Sequence, residues 1–242
     1  MIKSKKKNII LFGSSGLIGS SLKENLKSKY NIINVDKIKN NIYDIILNTS
    51  NFSATTKKVN QIIKKYKKID AVVICVYPRT NKKKIHGSLN LNFRDFSKEF
   101  NTHLEPYYNL NKIFIDYFQK KGGGSIINFA SIYGEFLPRF EIYKNTKMSM
   151  PMYYALVKSS IIMMSKFLAK EFLETRVRIN TISPGGVFDY QNKIFLRRYA
   201  KYCSNKKLLN PSDLAGLVEF LISDSSKKIT GQDFVIDDGY TL

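Results

Sequence analysis

Short apolar runs alternate along the chain with longer stretches in which apolar residues recur every three to four positions. That alternation is the pattern of a parallel sheet whose strands are joined by covering helices. The runs predict strands at Asn8 to Phe12, Asn31 to Val35, Tyr43 to Leu47, Ala71 to Val76, Ser125 to Phe129, Val177 to Ile182 and Phe234 to Ile236. The helical spacing predicts helices over Leu17 to Ser28, Ala54 to Lys67, Phe93 to Phe118, Met152 to Phe172 and about Pro211 to Ile222. Ala71 to Val76 is apolar throughout, as a central strand covered on both faces should be. Gly122 to Gly124 end the Phe93 helix, and Pro151 sits where a helix start tolerates proline. One connection is odd. Only a few residues separate the second and third strands, whereas a parallel crossover normally takes a dozen or more. Either that crossover helix has shrunk to a loop or one of the two strands lies elsewhere. The expected architecture is a single α/β domain over 1–242, with a doubly wound parallel sheet of about seven strands and helices on both faces.

Composition narrows this picture. The chain has 242 residues, 43% hydrophobic and 13% aromatic, enough for one full core and too apolar for disorder. Nothing approaches eighteen consecutive apolar residues, so no membrane insertion is expected. Lys3, Lys5, Lys6 and Lys7 ahead of an apolar run imitate a signal peptide, but the run carries Gly13, Gly16 and Gly19 and leads into a helix without a small-residue cleavage site. It reads as a first strand and turn, and the protein as cytoplasmic. Cys75 and Cys203 are too few for a disulfide framework or a zinc cluster, no metal is expected, and Cys75 reads as a small buried hydrophobe at a strand end. The formal net charge of +21 admits a polyanion partner or a bland enrichment in Lys, Asn and Ile. The lysines are scattered, at Lys64, Lys65, Lys67 and Lys68, at Lys82 to Lys84, and at Lys227 and Lys228, without an aromatic-interleaved groove. Such charge speaks to solubility and non-specific binding, and no specific nucleic acid is expected.

Gly13-Ser14-Ser15-Gly16-Leu17-Ile18-Gly19 falls between a predicted strand and a predicted helix. A dinucleotide pyrophosphate requires this arrangement: glycines let the backbone turn tightly and approach the phosphates, and the helix start offers unpaired N–H groups and a positive dipole end. Asp36 follows at the end of the next strand, about twenty residues on, where a carboxylate binds the adenosine ribose and repels a 2′-phosphate. This favours NAD, while the neighbouring Lys37 leaves NADP open.

Tyr154 and Lys158 lie four apart on a predicted helix and so share a face. A lysine ammonium near a tyrosine lowers its pKa toward working pH and makes it a usable acid or base for an alcohol/carbonyl pair. Ser131 follows the fifth strand, at the carboxyl edge where such sheets bind ligands, and its hydroxyl can polarise a substrate oxygen.

Taken together, the glycine turn, Asp36, Ser131, Tyr154 with Lys158, and Ser183-Pro184-Gly185 after the sixth strand resemble the short-chain dehydrogenase/reductase superfamily, as does the ending Thr230-Gly231-Gln232 with Asp237-Asp238-Gly239. The resemblance spans about Asn8 to Gly239. It implies a Rossmann-type sheet, a nicotinamide cofactor, hydride transfer at an alcohol or ketone of a sugar, steroid or acyl group, and a homodimer or homotetramer. It also implies cofactor contacts from Gly13, Ser15, Gly16, Leu17, Ile18 and Gly19 at the turn, from Asp36, from Val76, Pro184, Gly185 and Val187, and from Tyr154 and Lys158. The chain departs from the family in places. Ile74-Cys75-Val76-Tyr77 stands where members carry Asn-Asn-Ala-Gly, and Leu17 occupies the usual second glycine position. A helix asparagine usually completes the catalytic set; counting back from Ser131 puts His103 there, either as a substitute in the proton relay or as a packing histidine.

The segment from Gly134 to Pro151 is longer than the common spacing. With Tyr77-Pro78-Arg79, Ser131-Ile132-Tyr133-Gly134 and Pro184 to Asp189, it resembles a narrower branch of oxidoreductases associated with flagellin modification and surface-glycan sugars. Residues 134–151 and 186–210 are then the substrate segments, with Arg79, Tyr133 and Arg139 as substrate contacts, and Arg197 and Arg198 as further cations able to grip a phosphate or carboxylate. The leading expectation is an NAD(P)-dependent oxidoreductase acting on a sugar or sugar nucleotide. A non-catalytic NAD-binding sensor or scaffold, and a polyanion-binding protein, stand as alternatives.

Overall fold

The computed structural model describes residues 6–37, 45–78 and 91–242. Seven strands, β1 (Asn8–Phe12), β2 (Asn31–Asp36), β3 (Ile45–Ile46), β4 (Ala71–Ile74), β5 (Gly124–Phe129), β6 (Val177–Pro184) and β7 (Asp233–Ile236), form one parallel sheet in the order β3-β2-β1-β4-β5-β6-β7. Successive side chains alternate between its faces. Ile10 and Phe12 of β1 and Val72 and Ile74 of β4 join one core, while Ile9, Leu11, Ala71 and Val73 join the other. Helices α1 (Leu17–Leu26) and α6 (Ala215–Ile222) cover one face; α2 (Phe52–Tyr66), α3 (Phe93–Lys121) and α4 (Met152–Glu171) cover the other. No helix among the described residues is long and apolar enough to cross a membrane.

The doubtful third strand is present, parallel to β2 through Val35 opposite Ile45 and Asp36 opposite Ile46, but it is two residues long. An edge strand pairs on one side only and can be this short. The residues that cross to it, 38–44, lie outside those described, as do Arg79 and Lys82 to Lys84. The long third helix runs on to Lys121, and Gly122 ends it at φ 78°, the left-handed conformation glycine tolerates. Gly124 belongs to β5 rather than to that helix end.

The predicted helix from Pro211 is in fact a reciprocally capped 3₁₀ turn, Pro211–Leu214, leading into α6. A helix absent from the sequence expectations, α5 (Lys193–Ala200), occupies the second segment expected to meet substrate and is capped by the Asn192 side chain. It packs on a 3₁₀ turn, Phe140–Tyr143, in the first such segment, with the Tyr143 and Phe195 rings 5.3 Å apart. A third apolar cluster, including Ile132, Tyr133, Ile142, Phe195, Tyr199 and Tyr240, thereby roofs the carboxyl end of the sheet.

Candidate active site

The strand order reverses between β1 and β4, and the crevice outside their carboxyl ends is where open α/β sheets bind ligands. The glycine turn lies there. Gly13 adopts φ 82°, and a Cβ on it would come 2.7 Å from the Cys75 carbonyl oxygen, so only glycine lets β1 turn this close to β4. The turn is pinned through its backbone: Gly13 N–H donates to the Val35 carbonyl (2.9 Å) and Ser15 N–H to the Asp36 carboxylate (2.9 Å). Gly16 caps α1 without a side chain, and the first bond inside the helix is Ser20 N–H to the Gly16 carbonyl. The N–H groups of Leu17, Ile18 and Gly19 are therefore left without an intrahelical acceptor at the positive end of the helix dipole. This donor set fits a pyrophosphate. Asp36, tied to the turn, stands at the edge where the adenosine ribose of a dinucleotide would lie.

From the turn a cavity of about 320 Å³ runs along the carboxyl ends of β4, β5 and β6. Ile18, Cys75 and Val76 line its near end, Ser131, Tyr154 and Lys158 its middle, and Pro184, Gly185 and Val187 one wall. Of the residues expected at the cofactor and at the chemistry, these line the one cleft, while Gly13, Ser15, Gly16, Leu17, Gly19, Asp36 and His103 are not among its lining residues. Cys75 lies one residue past β4 and is half-buried; its thiol donates to the Phe12 carbonyl, and burial pushes it up to about 12, so it is an inert wall group.

Ser131 is buried two residues past β5, where its hydroxyl accepts the Tyr133 N–H (3.3 Å), and it approaches Tyr154 on α4 across the cleft that both line. Gly134 makes this approach possible: a Cβ there would fall 2.8 Å from the Lys158 carbonyl carbon, so the turn after Ser131 rests directly on α4. The Lys158 ammonium donates to the Phe129 carbonyl (3.1 Å) and lies 5.7 Å from the Tyr154 ring centroid. Burial pushes Lys158 down to about 8. Burial also raises Tyr154 above its ordinary value, opposed by the Ser131 hydrogen bond. Burial rather than the expected lowering by the lysine governs Tyr154, which carries its proton.

His103 is buried on α3, its ring 5.0 Å from that of Tyr77 and 5.6 Å from that of Tyr153. Its Nδ1 donates to the Glu99 carbonyl one turn earlier (2.8 Å). It borders a void of about 10 Å³ that Tyr107, Tyr154 and Lys158 also line. The α3 residue that reaches the carbonyl bonded by Lys158 is Tyr107, one turn further on, its hydroxyl donating to the Phe129 oxygen (3.0 Å). Sequence reasoning missed Tyr107 because counting without gaps lands on His103, and residues four apart share a helix face.

The substrate end is aromatic. Tyr77, Tyr133, Tyr143, Tyr154, Phe195 and Tyr199 border the cavity, and among the described residues Lys158 is its one charged lining group. Tyr133 is where the sequence placed it, its hydroxyl 3.2 Å from that of Tyr143. Arg139 is not. Its guanidinium stacks 4.2 Å from the Tyr202 ring and donates to the Leu242 carbonyl, on the outer side of the aromatic cluster, because those rings and that carbonyl offer it partners away from the cleft. Arg198 likewise turns to the Glu141 and Lys144 carbonyls and braces the 3₁₀ turn. Past Met148 and Gln191 the cavity opens into a depression of about 730 Å³ edged by Asn145, Thr146, Lys147 and Asn192.

The family model for enoyl-(acyl carrier protein) reductase matches residues 22–241. Flagellin modification protein A of Campylobacter coli, described as post-translational, is 33% identical over 98% of this chain and 98% of its own. The 7alpha-hydroxysteroid dehydrogenase of Bacteroides fragilis is 28% identical over 100% and 97%. Among solved structures, a short-chain dehydrogenase from Leptospira borgpetersenii with bound NAD+ superposes with a TM-score of 0.88 at 28% identity, covering 98% of this chain and 94% of the other.

Proposed function

The chain belongs to the short-chain dehydrogenase/reductase superfamily and is an NAD(P)-dependent oxidoreductase; from that premise we propose that it oxidises or reduces a hydroxyl or keto group on a sugar or sugar nucleotide, in flagellin-glycan or surface-glycan biosynthesis. The observation that carries this reading is the make-up of the cleft beyond Tyr154. Its walls combine tyrosine and phenylalanine faces, with hydroxyls at their edges, and apolar side chains such as Ile132, Met150 and Leu208, with no carboxylate or arginine among its described lining residues. Sugar rings present C–H faces to such walls and hydroxyls to such edges. The depression beyond, edged by amides and Lys147, suits a polar or phosphorylated extension of the same substrate. The full-length likeness to a flagellin modification protein supports the same class.

In this reading a bound nicotinamide accepts or supplies the hydride. Ser131 donates a hydrogen bond to the substrate oxygen, and Tyr154 passes its proton to that oxygen or takes one from it. Lys158 stabilises the Tyr154 phenolate, and its remaining hydrogens would hold the ribose of a bound nicotinamide cofactor. Because Tyr154 starts protonated, the neutral-pH site is set for reduction, and oxidation gains as pH rises. Asp36 makes NAD the preferred cofactor, since a carboxylate repels a 2′-phosphate. His103 serves as a packing residue. The outer face of α4, where Met163 and Phe167 are 65% and 66% exposed, supports a homodimer or homotetramer.

A panel of free and nucleotide-linked sugars with NAD+ and NADH, read by nicotinamide absorbance, tests the proposal. Turnover of a sugar derivative is expected, with Tyr154→Phe lowering kcat by about 10²–10⁴-fold. Full activity in Tyr154→Phe would overturn the mechanism. Turnover only of steroids or acyl thioesters would overturn the substrate class, and cofactor binding without any turnover would point to a sensor.

A further inference from the structure

Phe129 ends β5, and its carbonyl oxygen receives two hydrogen bonds, from Lys158 Nζ at 3.1 Å and from the Tyr107 hydroxyl at 3.0 Å. The Tyr107 hydroxyl also lies 3.1 Å from the Val76 carbonyl. It has one hydrogen, so it divides that hydrogen between the two carbonyls. Val76 alone would satisfy a buried tyrosine; the second acceptor is the one on which the lysine depends.

Tyr107 is held at its other end as well. Its backbone carbonyl accepts from Asn111 Nδ2 (2.8 Å), Asn111 and Asn128 exchange side-chain bonds of 3.0 and 3.1 Å, and Asn128 donates to Ser165 on α4 (2.9 Å). This buried network ties α3, β5 and α4 together beside Lys158. The Tyr107 ring is 1% exposed, with Lys158 Nζ 5.6 Å from its centroid. Burial holds the Tyr107 hydroxyl well above the ordinary tyrosine range, so it donates at every working pH.

We propose that Tyr107 is a positioning residue that sets the aim and proton affinity of Lys158 by competing with it for the Phe129 carbonyl. A carbonyl shared with a hydroxyl donor holds the ammonium less tightly and leaves it directed at Tyr154 and the cleft. The other titratable groups around Lys158 are Cys75 and Tyr77 beyond β4, His103 on α3 and Tyr154 on its own helix. None of these bonds the Phe129 carbonyl in the described structure.

The test needs no substrate. Competitive labelling with trace acetic anhydride over a pH series, read by mass spectrometry on the peptide containing Lys158, reports the titration of that one amine. In the unaltered protein Lys158 should titrate well below the surface lysines. Tyr107→Phe frees the carbonyl for the ammonium and should raise the midpoint by about 0.5 to 1 in pH. Site-specific 3-fluorotyrosine at position 107, a near-isosteric and stronger donor, should lower it. Tyr117→Phe removes another hydroxyl from α3, one that accepts from Ile69 N–H, and should leave the Lys158 midpoint in place. An unchanged midpoint in Tyr107→Phe, or an equal rise in Tyr117→Phe, would overturn the proposal. If Tyr107→Phe does not fold, the fluorotyrosine protein decides: a lowered midpoint supports the competition and an unmoved one overturns it.

Discussion

At the β1 end of the cleft, geometry is held by backbone. Gly13 turns with positive φ, its N–H bonds β2, Ser15 N–H bonds the Asp36 carboxylate, and the start of α1 supplies donors that belong to no side chain. At the opposite end the walls are side chains from separated segments. Tyr133 meets Tyr143 through their hydroxyls, Tyr199 stacks on Tyr240 with ring centroids 3.9 Å apart, and the Tyr199 hydroxyl accepts the Gly186 N–H at 2.6 Å. The backbone-built end depends on about twenty-five consecutive residues and takes a cofactor common to many reactions. The side-chain-built end depends on Tyr77 and on stretches spread from residue 131 to the C-terminus, so each substitution there reshapes the wall without disturbing the turn. Ser131, Tyr154 and Lys158 lie at the seam between the two.

The largest expected effect falls at that seam. A drop in Lys158 from 10.5 to about 8 corresponds to about 3 kcal/mol of discrimination against the charged form. Below about pH 8 both folded and unfolded chains hold the proton, and the folded protein carries the whole cost of burying it. Between about 8 and 10.5 the unfolded chain binds the proton that the folded one has released, so stability rises with pH. Lys158→Met should therefore raise unfolding stability at pH 7 by about 1–3 kcal/mol, flatten that rise and abolish turnover. Urea unfolding at pH 7 and pH 10 checks this, and a variant less stable at pH 7 would contradict it.

At the backbone-built end, Gly13→Ala places a Cβ against the Cys75 carbonyl at positive φ. It should cost about 1–3 kcal/mol and remove NAD+ binding by calorimetry. Tight NAD+ binding by that variant would mean the turn is not what holds the phosphates.

At the side-chain-built end, Tyr199→Phe takes the acceptor from Gly186 N–H and should cost about 1 kcal/mol. Substrate KM should rise several-fold with NAD+ affinity unchanged. If both affinities fell together, the two ends would be one cooperative unit rather than two.

Much of the site could be read before the fold was known. The glycine turn, Asp36, Ser131, Tyr154, Lys158 and Pro184-Gly185 all meet at the predicted carboxyl edge, since each sits just after a strand or at a fixed helical spacing. What escaped had no local signature. Helix α5 is eight residues long with two buried aromatic anchors, Phe195 and Tyr199, too short for periodicity to reveal among neighbouring cations. Gly134 looked like a loop residue, yet it sets how closely Ser131 approaches α4. Arg139 fell in the right segment but points outward, because a residue number does not say on which side of a loop a guanidinium finds its aromatic faces.

The sequence by itself determined the parallel sheet, the glycine turn after its first strand and the tyrosine–lysine pair. These follow from period-two and period-3.6 patterning and from backbone conformations that only particular residues adopt. Tertiary structure alone decided that Tyr107 rather than His103 shares a carbonyl with Lys158, and that among the described residues tyrosines rather than Arg139, Arg197 or Arg198 line the far end of the cleft. Those outcomes depend on which side chains meet across α3, β5, α4 and α5, and distances between separated segments are set by packing, not by spacing along the chain.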